Sequence, residues 1–369
     1  MARFEGALAL AASRAGLVPR AHAHTIAQVC GGTSFDAAAL ARQAREAGTL
    51  AIPFVNELRA RVAAVSPEAG PHVHCGATSQ DVIDTAVALC LKSAAERIAE
   101  LTRILGDGTA LLAERHAATP TVARTLLQPA LPVPFGWKAA IWLSLITRSH
   151  DGFRRAARDA CVLQLGGPAG TLSTFGAKGV AVATALAAEL ALPLAATTWH
   201  SARDGFARLG AEAAILAGAA AKVARDVSLL MQPEVGEAAE PARQGRGGSS
   251  SMPHKRNPAL SMLALEAAQR APGLAATLLA QLAPEHERGL GQWQSQWFTL
   301  RELFLASSSA VAAMAEVVQG LEVDTGAMRA NLERLTRGHA AQAGRPEDQY
   351  GSAAAMIESA LASWRETAP

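Results

Sequence analysis

The chain has 369 residues, enough to enclose a large core and, by length alone, two or three structural units. Half of its residues are hydrophobic and only 4% are aromatic, with alanine and leucine dominant, a composition that favours long helices over sheets. A net charge of +2 gives no electrostatic case for nucleic acid or an anionic membrane as partner, so any basic site must be local.

Residues 1–17 carry Arg3, Glu5 and Arg14 in a modest alanine-rich run, too polar for a signal peptide, and no window approaches an uninterrupted transmembrane span. A soluble, cytoplasmic chain is expected. Residues 4–65 read as short helices broken at Gly31-Gly32, Gly48 and Pro53, closed by a turn over residues 67–70. His22/His24 and His72/His74 are His-x-His pairs without a carboxylate or cysteine at ligand spacing, and read as non-metal. Cys30, Cys75, Cys90 and Cys161 form no Cys-x-x-Cys pair and read as reduced thiols.

At residues 76–86, Gly-Ala-Thr-Ser-Gln-Asp-Val-Ile-Asp-Thr-Ala opens a long helical stretch to about Arg115, with Thr78, Ser79 or Asp81 available as its cap. Residues 124–132, Arg-Thr-Leu-Leu-Gln-Pro-Ala-Leu-Pro, read as a proline-bounded loop before an apolar helix. The Gly-Gly-Pro-Ala-Gly run at 166–170 has no β-branched strand before it and lacks the G-x-G-x-x-G spacing, so no dinucleotide is expected there. A plain helix over 179–192 leads to Trp-His-Ser-Ala-Arg-Asp at 199–204. His200 and Arg203 of that connection read equally as substrate contacts and as a capping and salt-bridge cluster. Residues 212–232, 259–281 and 292–321 are long helical runs which, with 81–115 and 134–158, make five. The tail, 326–369, is short and polar.

Residues 247–258, Gly-Gly-Ser-Ser-Ser-Met-Pro-His-Lys-Arg-Asn-Pro, stand apart from these helices. Glycines and serines leave many backbone N–H groups free in the first half, while Pro253 and Pro258 stiffen the second. Lys255 and Arg256 add positive charge, Asn257 adds an amide donor, and an apolar helix restarts directly behind them. That is the layout of an anion site beneath a lid. Glycine and serine alone would read as a surface linker, but the run Met-Pro-His-Lys-Arg-Asn-Pro would not.

This segment resembles the signature loop of the fumarase/aspartase superfamily, Gly-Ser-Ser-x-Met-Pro-x-Lys-x-Asn-Pro, at every fixed position. His74 and the Gly-x-Thr-Ser-x-Asp run after it are similar to the first signature block of that superfamily. Residues 124–132 are similar to the second, usually Arg-Thr-His-x-Gln-x-Ala-x-Pro, with Leu126 where many members carry histidine. The resemblance implies an all-α, three-domain protomer with a central bundle of about five long helices forming a tetrameric core, here residues 1–78, 79–325 and 326–369. It also implies a homotetramer with active sites shared between protomers and a reaction that needs no cofactor. Ser249 matches the base that exchanges a proton α to a carboxylate, and His74 matches a histidine near the substrate. Lys255, Asn257, Thr78, Ser79, Gln80, Thr125 and Gln128 match substrate contacts, to which His200, Arg203 and Arg288 are added as candidates.

Leu126 bears on the branch of the superfamily. Releasing an amine or purine nitrogen calls for an acid that protonates it, whereas a carboxylate, with an acid pKa of about 4, leaves unaided. Local runs at residues 74–86, 166–172, 199–204 and 286–293 resemble the bacterial 3-carboxy-cis,cis-muconate cycloisomerases. That branch implies lactone formation on a small tricarboxylate, a step of protocatechuate breakdown. An adenylosuccinate lyase-like enzyme and a non-enzymatic helical scaffold are the alternatives. The C-terminal region looks shorter than the superfamily's third domain.

Overall fold

Helix dominates the structure, a computed structural model in which residues 1–252, 254–336 and 345–367 are described. Pro253 of the glycine–serine loop and residues 337–344 and 368–369 of the tail lie outside them. The elements run α1 (Ala2–Arg14), α2 (Arg20–Gly32), α3 (Ala37–Ala47), α4 (Ala51–Val65), α5 (Ser79–Arg115), β1 (Pro120–Thr125), β2 (Gln128–Pro134), α6 (Phe135–Ala160), α7 (Gly179–Leu190) and α8 (Asp204–Leu230). There follow β3 (Ala238–Ala239), α9 (Ala259–Leu279), α10 (Gln292–Gln319), β4 (Glu322–Val323), α11 (Thr325–Thr336) and α12 (Ala353–Thr367). The five long helices expected from sequence are α5, α6, α8, α9 and α10. No described helix is long and apolar enough to cross a membrane.

Three local expectations are corrected. Pro53 does not break a helix but sits in the first turn of α4, where an N–H has no intrahelical acceptor and none is missed. Residues 124–132 are not a loop: β1 and β2 form an antiparallel hairpin, and Thr125 pairs with Gln128 across the two-residue turn Leu126-Leu127. The tail is not uniformly polar, because α12 buries Ala353, Ile357, Ala360, Leu361 and Trp364 along one stripe at helical spacing.

Contact density divides the chain into two units built from interleaved segments. The first comprises Met1–Ala94, Ala157–Arg208 and Leu279–Trp297, and the second Ala95–Ala156, Leu209–Leu278 and Phe298–Pro369. These boundaries fall inside α5, α6, α8, α9 and α10, unlike the consecutive regions 1–78, 79–325 and 326–369. In the first unit, Phe4 and Leu8 of α1 share a core with Val182, Leu186 and Leu190 of α7 and with Trp293. Ile26 of α2 packs in a second cluster with Phe54, Leu58 and Val62 of α4. In the second unit, Trp142 is buried on α6 and donates from Nε1 to Asp226 Oδ2 at 2.7 Å. Trp364 lies against Gly106 of α5 so closely that a Cβ there would fall 2.1 Å from its ring, and its Nε1 donates to Asp107 Oδ1 at 3.0 Å. Aromatics are few, and these two tryptophans are spent on locking helices to one another.

Candidate active site

The first unit gathers one group of the sequence-derived residues around two buried carboxylates at the start of α5. Asp81 is fully buried and accepts four hydrogen bonds: from the N–H of Thr78 (2.9 Å), Gly166 (2.9 Å) and Gly167 (2.9 Å), and from His200 Nε2 (2.7 Å). The bond back to Thr78 is half of a capping box and sets where α5 begins. The bonds to Gly166 and Gly167 commit the glycine-run amides to a carboxylate of this chain. One turn further, Asp84 takes a bidentate pair from Arg203 (2.7 and 3.0 Å), plus Gln80 Nε2 (3.0 Å) and Trp293 Nε1 (3.0 Å).

Arg203 is itself spent. Its Nε and Nη2 donate to Gln296 Oε1 at 3.0 and 2.6 Å, and the rings of Trp199 and Phe206 lie 4.8 and 5.2 Å from its central carbon. A buried ion pair of this kind is tolerated because its donors and acceptors are satisfied. Of the two sequence readings, the salt-bridge cluster describes Arg203 and His200, which are 3% and 4% exposed. Gln80 is engaged in the same way. It is fully buried, its amide nitrogen donates to Asp84 Oδ2 and the His200 carbonyl, and its Oε1 accepts from Arg288 Nε at 2.9 Å. Both polar atoms of Gln80 thus have partners within the chain, and its Oε1 bonds Arg288, whose Nη2 also donates to the Pro168 carbonyl. His74, Thr78, Ser79 and Arg288 remain partly exposed.

The second unit holds the other group. Ser249, Lys255 and Asn257 lie on a loop closed at its neck, where the Asn257 N–H donates to the Gly247 carbonyl at 2.8 Å. Gly247 has φ +70°, and a Cβ there would sit 2.5 Å from the Asn257 carbonyl oxygen, so only glycine fits. The Ser249 hydroxyl oxygen accepts from the Met252 N–H at 3.2 Å and from the Ser251 N–H at 3.4 Å, two donors aimed at one oxygen. Lys255 is exposed. Arg256, expected to serve the anion site, is turned away: it bonds Glu322 through both terminal nitrogens and also donates to the Glu240 carbonyl. The Glu240 carboxylate caps the first turn of α9 through the N–H groups of Leu260 and Ser261.

The hairpin places Thr125 and Gln128 at its exposed tip on either side of Leu126 and Leu127, at φ +52° and +65°. Both turn residues are left-handed, as a type I′ turn requires, although leucine is a costly choice there. Its base is anchored by Glu237, fully buried, which accepts from Arg124 (2.6 and 3.0 Å), Thr121 Oγ1 (3.2 Å) and Asn331 Nδ2 (2.9 Å). Sequence reading missed Asp84, Glu237, Glu240, Gln296 and Glu5. Asp84 alone carried a signal, lying three residues beyond Asp81 on one helix face.

A helical chain with a complete Gly-Ser-Ser-x-Met-Pro-x-Lys-x-Asn-Pro loop, closed at its neck and based on a helix N-terminus, is of the fumarase/aspartase type. The chain belongs to the lyase family whose model matches its residues 1–273. The 3-carboxy-cis,cis-muconate cycloisomerase of Bradyrhizobium diazoefficiens is 50% identical over 334 residues, covering 90% of this chain and 74% of that protein. The nitrosuccinate lyase of Streptomyces davaonensis is 42% identical over 349 residues, covering 92% and 73%. The crystal structure of 3-carboxy-cis,cis-muconate lactonizing enzyme from Pseudomonas putida matches with a TM-score of 0.92 at 34% identity, over 100% of this chain and 94% of that one.

Proposed function

We propose that the chain is a cycloisomerase that closes 3-carboxy-cis,cis-muconate to 4-carboxymuconolactone. The observation that carries this reading is the pair of N–H groups on the Ser249 oxygen. One substrate carboxylate oxygen bonds to the carbon β to a second carboxylate, and the π pair moves onto the α carbon and into that carboxylate. The Ser249 hydroxyl then gives its proton to the α carbon. The alkoxide left behind is stabilised by the Ser251 and Met252 amides and regains a proton from solvent. Bond changes are redox-neutral and internal to one molecule, so the reaction calls for no cofactor. Lys255, Asn257, Thr78, Ser79, Thr125, Gln128, His74 and Arg288 are the groups proposed to hold the three carboxylates. Gln80, His200 and Arg203 support them from behind. Leu126 fits the same reading, since a carboxylate with an acid pKa of about 4 needs no proton donor to leave in the reverse direction.

The names of the cycloisomerase relatives support this substrate. The reading includes a homotetramer with active sites shared between protomers, regions 1–78, 79–325 and 326–369 as its domains, a cytosolic setting and a place in protocatechuate breakdown. Supporting assembly, Phe298 and Leu305 are 73% and 54% exposed seven residues apart on α10, and Met262 and Leu263 are exposed on α9. A second reading, cleavage of nitrosuccinate, is favoured by the nitrosuccinate lyase relative and also requires no basic nitrogen to be protonated. An ultraviolet assay of the purified chain on carboxymuconate, nitrosuccinate, adenylosuccinate and argininosuccinate separates them. Turnover of carboxymuconate far above the others is expected. Efficient release of an amine with no lactone formed overturns the proposal.

A further inference from the structure

Helix α1 is built mainly from alanine and other small or apolar residues, yet it carries Glu5 at 1% exposure in its first turn. Glu5 Oε1 lies 2.6 Å from His74 Nδ1, and Oε2 is buried with no hydrogen-bond partner. His74 is held at φ +63°, a conformation that side chains other than glycine rarely adopt. A half-satisfied buried carboxylate and a left-handed histidine are each unfavourable. What the two features share is the imidazole they orient. Against an ionised carboxylate, which only accepts hydrogen bonds, the facing ring nitrogen is the donor. Nε2 is then the ring atom left over, and the His74 side chain is 15% exposed while that of Glu5 is fully buried.

We propose that Glu5 is a positioning residue that acts through His74, holding it in the Nδ1–H tautomer so that Nε2 meets the substrate four residues before Thr78. This rests on the carboxymuconate reading for its kinetic consequence but not for its structural one. The test uses the full-length chain labelled with 15N-histidine, the His74 signals being identified by their disappearance in His74→Gln. Wild type is expected to show His74 protonated at Nδ1, and Glu5→Leu to move the proton toward Nε2. With carboxymuconate, Glu5→Gln should lower kcat/KM about tenfold at an unchanged melting temperature. The double variant Glu5→Gln/His74→Gln should be no slower than His74→Gln alone, because a residue acting only through His74 has nothing left to position. A wild-type His74 carrying its proton on Nε2 overturns the proposal, as do losses that multiply in the double variant. If wild type leaves carboxymuconate untouched, the functional reading fails by itself, and the tautomer spectra still decide the dyad.

Discussion

A serine hydroxyl is a weak acid and its alkoxide a strong base, so Ser249 can exchange a proton with carbon only where the alkoxide is stabilised in place. In the proposed mechanism the Ser251 and Met252 amides, already aimed at the Ser249 oxygen, would supply that stabilisation without reorganising. Replacing Ser249 with alanine should therefore lower kcat by at least about a hundredfold with little change in substrate affinity. Steady-state kinetics beside direct binding measurements check this, and wild-type turnover in the variant would exclude Ser249 as the base. Asp84 lies at the opposite extreme, a buried anion whose function is to neutralise Arg203. Asp84→Asn leaves that guanidinium buried without its counter-charge, and unfolding free energy should drop by about 3–5 kcal/mol. A urea titration that shows a loss below about 1 kcal/mol would mean that the pair is not held as described.

Among elements, the hairpin β1–β2 carries Thr125 and Gln128, two of the proposed substrate contacts, on either side of a turn of two strained leucines. Leu126 and Leu127 at its tip are 96% and 75% exposed, and β1 is anchored behind them by Glu237, which bonds Thr121, Arg124 and Asn331. The short C-terminal region thus contributes α11 to the support of the hairpin. Glu237→Gln should raise KM severalfold more than it lowers kcat, as loosened substrate positioning would; a fall in kcat alone would argue against this role. Helix α12 supplies a pH-dependent counterpart. His150 is buried beside Trp364, its Nδ1 has no partner, and burial, reinforced by Arg154, pushes its imidazole down to about 4. An unfolded chain protonates this ring below a pKa of about 6.5, whereas the folded chain resists until about 4. The neutral ring's contribution to stability is therefore complete above pH 6.5 or so and is lost as pH falls toward 4. His150→Leu should flatten that part of the pH dependence of the urea midpoint, and an unchanged slope would remove His150 as its source.

At the scale of the whole molecule, the exposed apolar faces of α9 and α10 and the bare leucine tip of the hairpin are surfaces that a monomer would not keep. The proposed homotetramer would cover them. If active sites are shared between protomers, mixing an inactive Ser249→Ala chain with an inactive Gln128→Ala chain should restore part of the activity, because hybrids contain sites in which neither lesion falls. Recovery is read after mild dissociation and reassembly, with mass measurement confirming that hybrids formed. Verified hybrids without activity would confine each site to one chain.

Composition and periodicity determined the long helices, since five apolar runs of helical period leave little else for the backbone to do, and the signature loop was legible because its residue types have no common purpose in a linker. The charge balance and the departure at Leu126 likewise needed no coordinates. What only the tertiary structure decided is which polar groups are free. Gln80 and Arg256 read from sequence as groups for an anion, and His200 and Arg203 read equally as that or as a salt-bridge cluster; each is engaged by a partner far along the chain: Arg288, Glu322, Asp81 and Asp84. No local pattern reports a partner 66 to 208 residues away. The hairpin was hidden for a related reason. Leu126-Leu127 is a poor turn by its own propensity, and it holds its left-handed backbone because strand pairing on both sides and the buried Glu237 anchor on β1 outweigh the local cost.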